Sequence, residues 1–259
     1  MENKNEDKLI IAKLNDKIRF CKTKNKLVNT EFLNMHQEMI MQEELQRQKE
    51  KNYIITGGYE GAESKLFILY PEKLTQEIAQ NYINEIIKAI RIVLPNEQIG
   101  KYEHRDYLGT IMQFGLERER IGDIIVHKEK AYILVLSENA EYIKTSLQDT
   151  KKFKKSKIDI IGLNEIEIKQ PEFEAFKITV NSLRLDNFVS EISKISRSET
   201  AKLIQSELVS VNGRIETKPA KIIEERDILI IRGKGKFIVN ELLNINKKGK
   251  QIVEIKKYK

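Results

Sequence analysis

The stretch from Leu183 to Ile215, LRLDNFVSEISKISRSETAKLIQSELVSVNGRI, decides the fold. Leu185, Phe188, Val189 and Ile192 recur at offsets of three and four, the apolar stripe of a short helix. Ser196 and Glu199 have the spacing of a capping box, so a second helix starts there. On that helix Ala201, Ile204 and Leu208 turn inward, while Ser198, Lys202 and Gln205 share a face left open for a ligand. Asn212-Gly213 between two short alternating runs predicts a hairpin, because a type I′ turn needs two residues at positive φ. Asp227 to Arg232 then reads as a strand, and Gly233 and Gly235 around Lys234 let the backbone come close to a neighbour.

Two small helices with Arg and Lys on the open face, followed by a hairpin carrying Arg214 and Lys218, suit a phosphate backbone. The ordered phrases Arg184-Leu185-Asp186, Ser196-Arg197, Val211-Asn212-Gly213, Lys218-Pro219 and Asp227-Ile228-Leu229 resemble the alpha-L RNA-binding domain. That domain is named after the fourth protein of the small ribosomal subunit. The resemblance covers roughly a quarter of the chain. It implies RNA contacts at Arg184, Ser196, Arg197, Ser198, Lys202, Asn212, Arg214, Lys218, Arg232, Lys234 and Lys236. Glu207 and Arg226 depart from the pattern, since both stand at turns where the family usually has glycine.

The charge distribution points the same way. The chain has 259 residues and a formal charge of +7. From Lys177 onward there are about 18 Lys and Arg against about 10 Asp and Glu, so the first 176 residues are close to neutral. A basic half beside a neutral half fits a polyanion partner held by the C-terminal end. Lysine is abundant throughout, so charge alone is also compatible with a solvated surface. No apolar run approaches the length of a membrane span, and the charged start has no signal-peptide pattern. The single Cys21 cannot form an internal disulfide, which fits the cytoplasm. It has no paired His, and His36 has no partner at metal spacing, so no metal site and no cofactor are expected.

In chain order, the expected fold class is α+β in three parts. Residues 1–72 form a helical region ending in a β-hairpin, with a cap at Asn29-Thr30-Glu31 before Phe32 and strands at Tyr53–Thr56 and Leu66–Tyr70. Residues 73–170 run strand-helix-strand-strand-helix-strand after a first helix over Leu74–Ile83. This is the ferredoxin-like or RRM-like order. Here Leu108, Ile111 and Met112 are expected inward on the first crossover helix, and Ile158–Ile168 supplies the last strand. The aromatics by which an RRM stacks bases are missing from the central strands. Gln170–Phe176 reads as a linker, and residues 177–259 form the alpha-L domain, closed by a hairpin around Lys247-Lys248-Gly249-Lys250.

His104-Arg105-Asp106 begins like a kinase catalytic loop, but Ile111 stands where the Asn is needed. Arg105, Arg118, Arg120, Lys151 and Lys152 are candidates for a secondary RNA contact. Each also fits a solvated charged loop.

The phrases Gly57-Gly58-Tyr59, His104-Arg105-Asp106-Tyr107-Leu108-Gly109 and Arg118-Glu119-Arg120-Ile121-Gly122-Asp123-Ile124, followed by the alpha-L pattern, resemble the YlmH family of bacterial RNA-binding proteins. The resemblance spans most of the chain. It implies a monomeric, cytoplasmic, ribosome-associated factor that binds rRNA and tRNA on the large subunit. It implies a part in quality control of stalled synthesis, where peptidyl-tRNA is retained during untemplated tailing. It also implies a link to cell division. The alternative is an RNA-modifying enzyme of the pseudouridine synthase or methyltransferase type, since such enzymes also carry alpha-L domains. No catalytic residues are assigned: the central part offers neither a glycine-rich cofactor loop after a strand nor a convergent acid–base set.

Overall fold

The computed structural model describes residues 2–168 and 172–258, with side chains from Glu6 onward. The chain divides into two compact units, Met1–Ile168 and Lys169–Lys259.

The first unit opens with α1 (Glu2–Lys24), β1 (Val28–Asn29), α2 (Met35–Arg47), β2 (Tyr53–Thr56) and β3 (Leu66–Leu69). The three strands form an antiparallel sheet in the order β1-β3-β2. The cap expected at Asn29–Glu31 lies elsewhere. Asn34 caps α2 with a capping box to Gln37, while Asn29 sits on β1 and the buried Thr30 hydroxyl accepts from the Phe67 amide at 3.0 Å. Cys21 is buried in the core between α1, α2 and this sheet, and burial pushes its thiol pKa up.

After α3 (Gln76–Ile86) come β4 (Ile87–Val93), α4 (His104–Met112), β5 (Ile121–Val126), β6 (Lys130–Leu136), α5 (Ser137–Asp149) and β7 (Lys157–Ile161). The sheet order is β5-β6-β4-β7 with every neighbour antiparallel. This is the ferredoxin-like topology the element order predicts. The strand expected to reach Ile168 ends at Ile161, where Gly162 starts a 3-10 turn. On α4 the buried residues are Tyr107, Thr110 and Ile111, and Met112 is exposed. Tyr107 stacks on Phe153 at 5.2 Å, an aromatic pair the apolar spacing alone did not reveal.

Both faces of this sheet are core. Ile90, Ile92, Ile133 and Val135 pack under α4 and α5. Their neighbours of opposite parity, Ile87, Ala89, Tyr132 and Leu134, pack with Phe32, Leu66, Ile68 and Ala79 from the preceding elements. The face on which an RRM stacks bases is thus buried, and the Tyr132 ring on it is 1% exposed and closed to a base.

The second unit contains β8 (Phe173–Val180), α6 (Leu185–Ser193), α7 (Arg197–Gln205), β9 (Val209–Val211), β10 (Arg214–Ile215), β11 (Ile228–Ile231), β12 (Gly235–Ile245) and β13 (Gln251–Tyr258). They form a six-stranded sheet in the order β10-β9-β11-β12-β13-β8. The linker expected over 170–176 falls partly on 169–171, outside the described residues. Its remainder from Phe173 is strand, pairing along all of β13. Leu185, Phe188, Val189 and Ile204 are fully buried against Val180, Val211, Leu229, Val239 and Ile255. Burying each of these side chains is worth about 2 kcal/mol, enough to seat two nine-residue helices that would be marginal alone.

Candidate nucleic-acid interface

The apolar stripe of α6 fixes its rotation on the sheet, and backbone bonds fix its start. The Leu185 amide donates to Lys221 O at 2.8 Å and the Asp186 amide to Pro219 O at 3.1 Å. The 218–222 segment is thereby held beside Arg184, the N-cap residue of α6. Lys194 ends α6 in the left-handed region at φ 53°, turning the chain sharply into α7. Ser196 caps α7 as its spacing predicts, and Glu199 returns the bond to the Ser196 amide at 2.9 Å.

The cap closes the α7 N-terminus. The Glu199 carboxylate already occupies it, and the hydrogen bonds from Ser196 hold its pKa below the usual carboxylate range. The side chains that project past the cap are Arg197 and Ser198 at the first positions and Lys202 one turn on. All three are exposed.

Between α6 and α7 lies an open groove of about 400 Å³ lined by Arg184, Asp186, Asn187, Glu191, Arg197 and Pro219, among others. Its charge is mixed. Arg184 reaches Asp186 at 2.6 Å, which raises the guanidinium pKa further through their hydrogen bond. A phosphate must displace that carboxylate to use Arg184 fully. Arg197 has no ion pair among the described residues.

The remaining expected contacts do not converge on this groove. Asn212 and Gly213 take φ 50° and 78°, as a type I′ turn requires. Asn212 is engaged by the scaffold: its side-chain Nδ2 donates to Asp227 Oδ1 at 2.7 Å and its side-chain oxygen accepts from the Ile228 backbone amide at 2.8 Å. Both polar atoms of its side chain are thus engaged by the scaffold, as the Ser196 hydroxyl is by Glu199. Arg214 projects from the hairpin after this turn. Arg232 and Lys234 lie at the other end of β9 and β11, where the Arg232 amide donates to Leu208 O at 2.9 Å. Lys236, half-buried, sits over the Tyr258 ring at 4.4 Å. The basic residues thus split into a helical group and two hairpin groups. Among the described residues, Lys202, Arg214, Lys218, Arg232 and Lys234 make no ion pair within 4.0 Å.

In the first unit the secondary candidates are mostly paired. Arg105 meets Glu103 at 3.3 Å, and Arg120 meets Glu117 and Glu138. Arg118 donates to Ile121 O, and Lys152 meets Asp106 at 3.4 Å and lies 5.4 Å from the Tyr102 ring centroid. Of the five, Arg118 and Lys151 are exposed without an ion pair among the described residues. Asp106, of the kinase-like phrase, caps α4 by accepting from the Glu103 amide at 2.9 Å. No group of His, Cys, Asp and Glu among the described residues could hold a metal ion, and no described helix is long and apolar enough to cross a membrane.

Comparison with known proteins agrees with this architecture. Residues 80–170 match the family described as "Putative RNA-binding domain in YlmH", and residues 183–229 match the S4 domain. A Bacillus subtilis (strain 168) protein, "Ribosome-associated protein quality control protein P2", is 29% identical over 230 residues, covering 89% of this chain and 87% of that protein. A solved structure, "Cell division protein ylmH from Streptococcus pneumoniae", aligns with a TM-score of 0.48 and 22% identity, over 62% of this chain and 95% of that one. The chain thus carries a YlmH-type RNA-binding domain followed by an S4 domain.

Proposed function

We propose that this chain is a non-catalytic, monomeric factor that binds rRNA and tRNA on the large ribosomal subunit. In this reading it acts in quality control of stalled synthesis and retains peptidyl-tRNA while untemplated residues are added. Residues 177–259 hold the RNA, and residues 1–72 and 73–170 contribute protein contacts and shape. The observation that carries it is the contrast in pairing. Among the described residues Arg197, Lys202, Arg214, Lys218, Arg232 and Lys234 make no ion pair, whereas Arg105, Arg120 and Lys152 are neutralised locally. An unpaired surface cation meets a phosphate without first losing an ion pair, and each phosphate it neutralises releases counterions. The relative's name, a ribosome-associated quality control protein, supports the cellular setting.

In-cell ultraviolet crosslinking tests this reading. The RNA recovered with the protein is expected to be large-subunit rRNA together with tRNA, with crosslinked peptides from α7 and the hairpins. Recovery of messenger RNA alone contradicts it, as does purified protein that alters rRNA nucleosides.

A further inference from the structure

A tight loop, Asn246-Lys247-Lys248-Gly249-Lys250, joins β12 to β13. The Asn246 side chain frames it: Oδ1 accepts from the Lys248 and Lys250 backbone amides at 2.9 and 3.0 Å. The Asn246 amide donates to Lys250 O at 2.8 Å, and the Gly249 amide to Asn246 O at 2.9 Å. Gly249 takes φ 73°, which a side chain would adopt only with strain. Lys247 and Lys248 are exposed and Lys250 is half-buried, and none of the three makes an ion pair among the described residues. The sequence has no Asp or Glu between Glu241 and Glu254. Register fixes where this loop sits. Ile245 pairs with Gln251, and Gln251 with Val180. Val180 is buried in the core with Leu185 and Phe188 of α6, so Ile245 stands on the helical side of the sheet, where it is 66% exposed. Val180 and the following Asn181 and Ser182 line the groove between α6 and α7. The lysine loop therefore adjoins the groove wall, at the end of the sheet away from the Phe173–Tyr258 pair.

Asn246 consumes the two loop amides that could otherwise cradle an anion, so recognition here rests on ammonium groups alone. Those are point charges, which meet phosphates without reading bases. A single exposed Ile245 is too little apolar surface to hold a membrane, where stable anchoring takes a larger apolar face. Continuity with the groove that presents Arg197 makes one polyanion spanning both the simplest occupant. We infer that the 245–250 loop is a second backbone contact for the RNA held at α6 and α7, with Lys247, Lys248 and Lys250 each meeting a phosphate. Ile245 lies under the strand as it passes from groove to loop and is covered by ribose. This contact lies outside residues 183–229, the stretch that matches the S4 domain. The inference rests on the RNA-binding reading and adds to it a site on a different element.

The test is filter binding of the full chain to a labelled RNA stem-loop across a salt series. A triple variant, Lys247→Gln with Lys248→Gln and Lys250→Gln, removes the charges and leaves the Asn246 frame intact. It is expected to reduce the slope of log affinity against log salt by about three units, one per phosphate contact. The corresponding triple arginine variant keeps the wild-type slope. Ile245→Glu sets a carboxylate on the path of the strand and is expected to weaken binding about five-fold, the size of one like charge near a phosphate in water. A wild-type slope in the folded glutamine variant overturns the inference. If Arg197→Ala and Lys202→Ala still lower the slope in that case, the RNA-binding reading survives it. Absence of RNA binding by the wild-type protein overturns both. Vesicles of phosphatidylserine and phosphatidylcholine are the second probe. Their capture by the wild type and not by the glutamine variant, with the RNA slope unchanged, assigns the loop to a membrane surface and overturns the inference.

Discussion

Tyr59 donates its phenolic hydroxyl to the Asp123 carboxylate at 2.8 Å, across 64 residues of sequence. The same carboxylate accepts from the amides of Glu63 and Ser64 at 2.7 and 2.9 Å. Asp123 on β5 thus pins the loop that follows β2. These are two of the phrases by which the chain resembles the YlmH family, and in both the polar groups serve the scaffold. Gly122 beside it has the same character: a Cβ there would come within 2.8 Å of the Phe32 ring.

Asp123→Ala removes three acceptor bonds at once and is expected to cost about 3 kcal/mol. Tyr59→Phe removes one and costs about 1 kcal/mol. Denaturant titration reads both. Equal costs would show that the two loop amides find other partners.

Glu207 and Arg226 adopt φ 60° and 70°, at the two positions where the family pattern has glycine. A side chain in the left-handed region costs about 1 kcal/mol relative to glycine. Glu207→Gly and Arg226→Gly are each expected to stabilise the second unit by that amount, visible as a higher melting temperature. A lower one would mean that these side chains make contacts outweighing the backbone strain.

Glu44 is buried and receives two hydrogen bonds from Arg47 at 2.7 and 2.6 Å, which, against the cost of burial, bring its pKa down to about 2. The folded value lies below the unfolded one. Its contribution is therefore complete above the unfolded carboxylate range and is lost as pH falls through the interval toward 2. Thermal melts between pH 5 and pH 2 are expected to lose on the order of 2 kcal/mol from this group, given the exposed Arg47 partner. Glu44→Gln flattens that part of the profile, and an unchanged slope refutes the assignment.

Arg197→Ala and Lys202→Ala are expected to leave the fold intact and to reduce the salt dependence of RNA binding by about one unit of slope each. Arg184→Ala loses less, because Asp186 already holds that guanidinium. Gradient-eluted filter binding at several salt concentrations measures all three. Equal effects from the paired and unpaired arginines would remove the argument from pairing.

What the sequence revealed was local. The capping box at Ser196, the Asn212-Gly213 turn and the apolar stripe of α6 each rest on residues a few positions apart, so spacing was enough. Strand β8 was hidden because its partner, β13, lies near the other end of the unit. Phe173–Phe176 has no alternation until it is placed against Ile255 and Tyr258. Burial on both faces of the ferredoxin-like sheet was hidden for the same reason, since the elements covering the second face come earlier in the chain. Asn212 shows a further limit. Its residue type suits both RNA and a left-handed turn, and its bonds to Asp227 and Ile228 are invisible in the sequence.

Sedimentation of cell extract on a density gradient tests the central claim most directly. On the proposed reading the protein migrates with large ribosomal subunits at low salt and leaves them as salt rises, because binding through phosphate contacts weakens with salt. An Arg197→Ala, Lys202→Ala double variant should leave at lower salt. Recovery of the wild-type protein only in ribosome-free fractions at low salt would contradict the account.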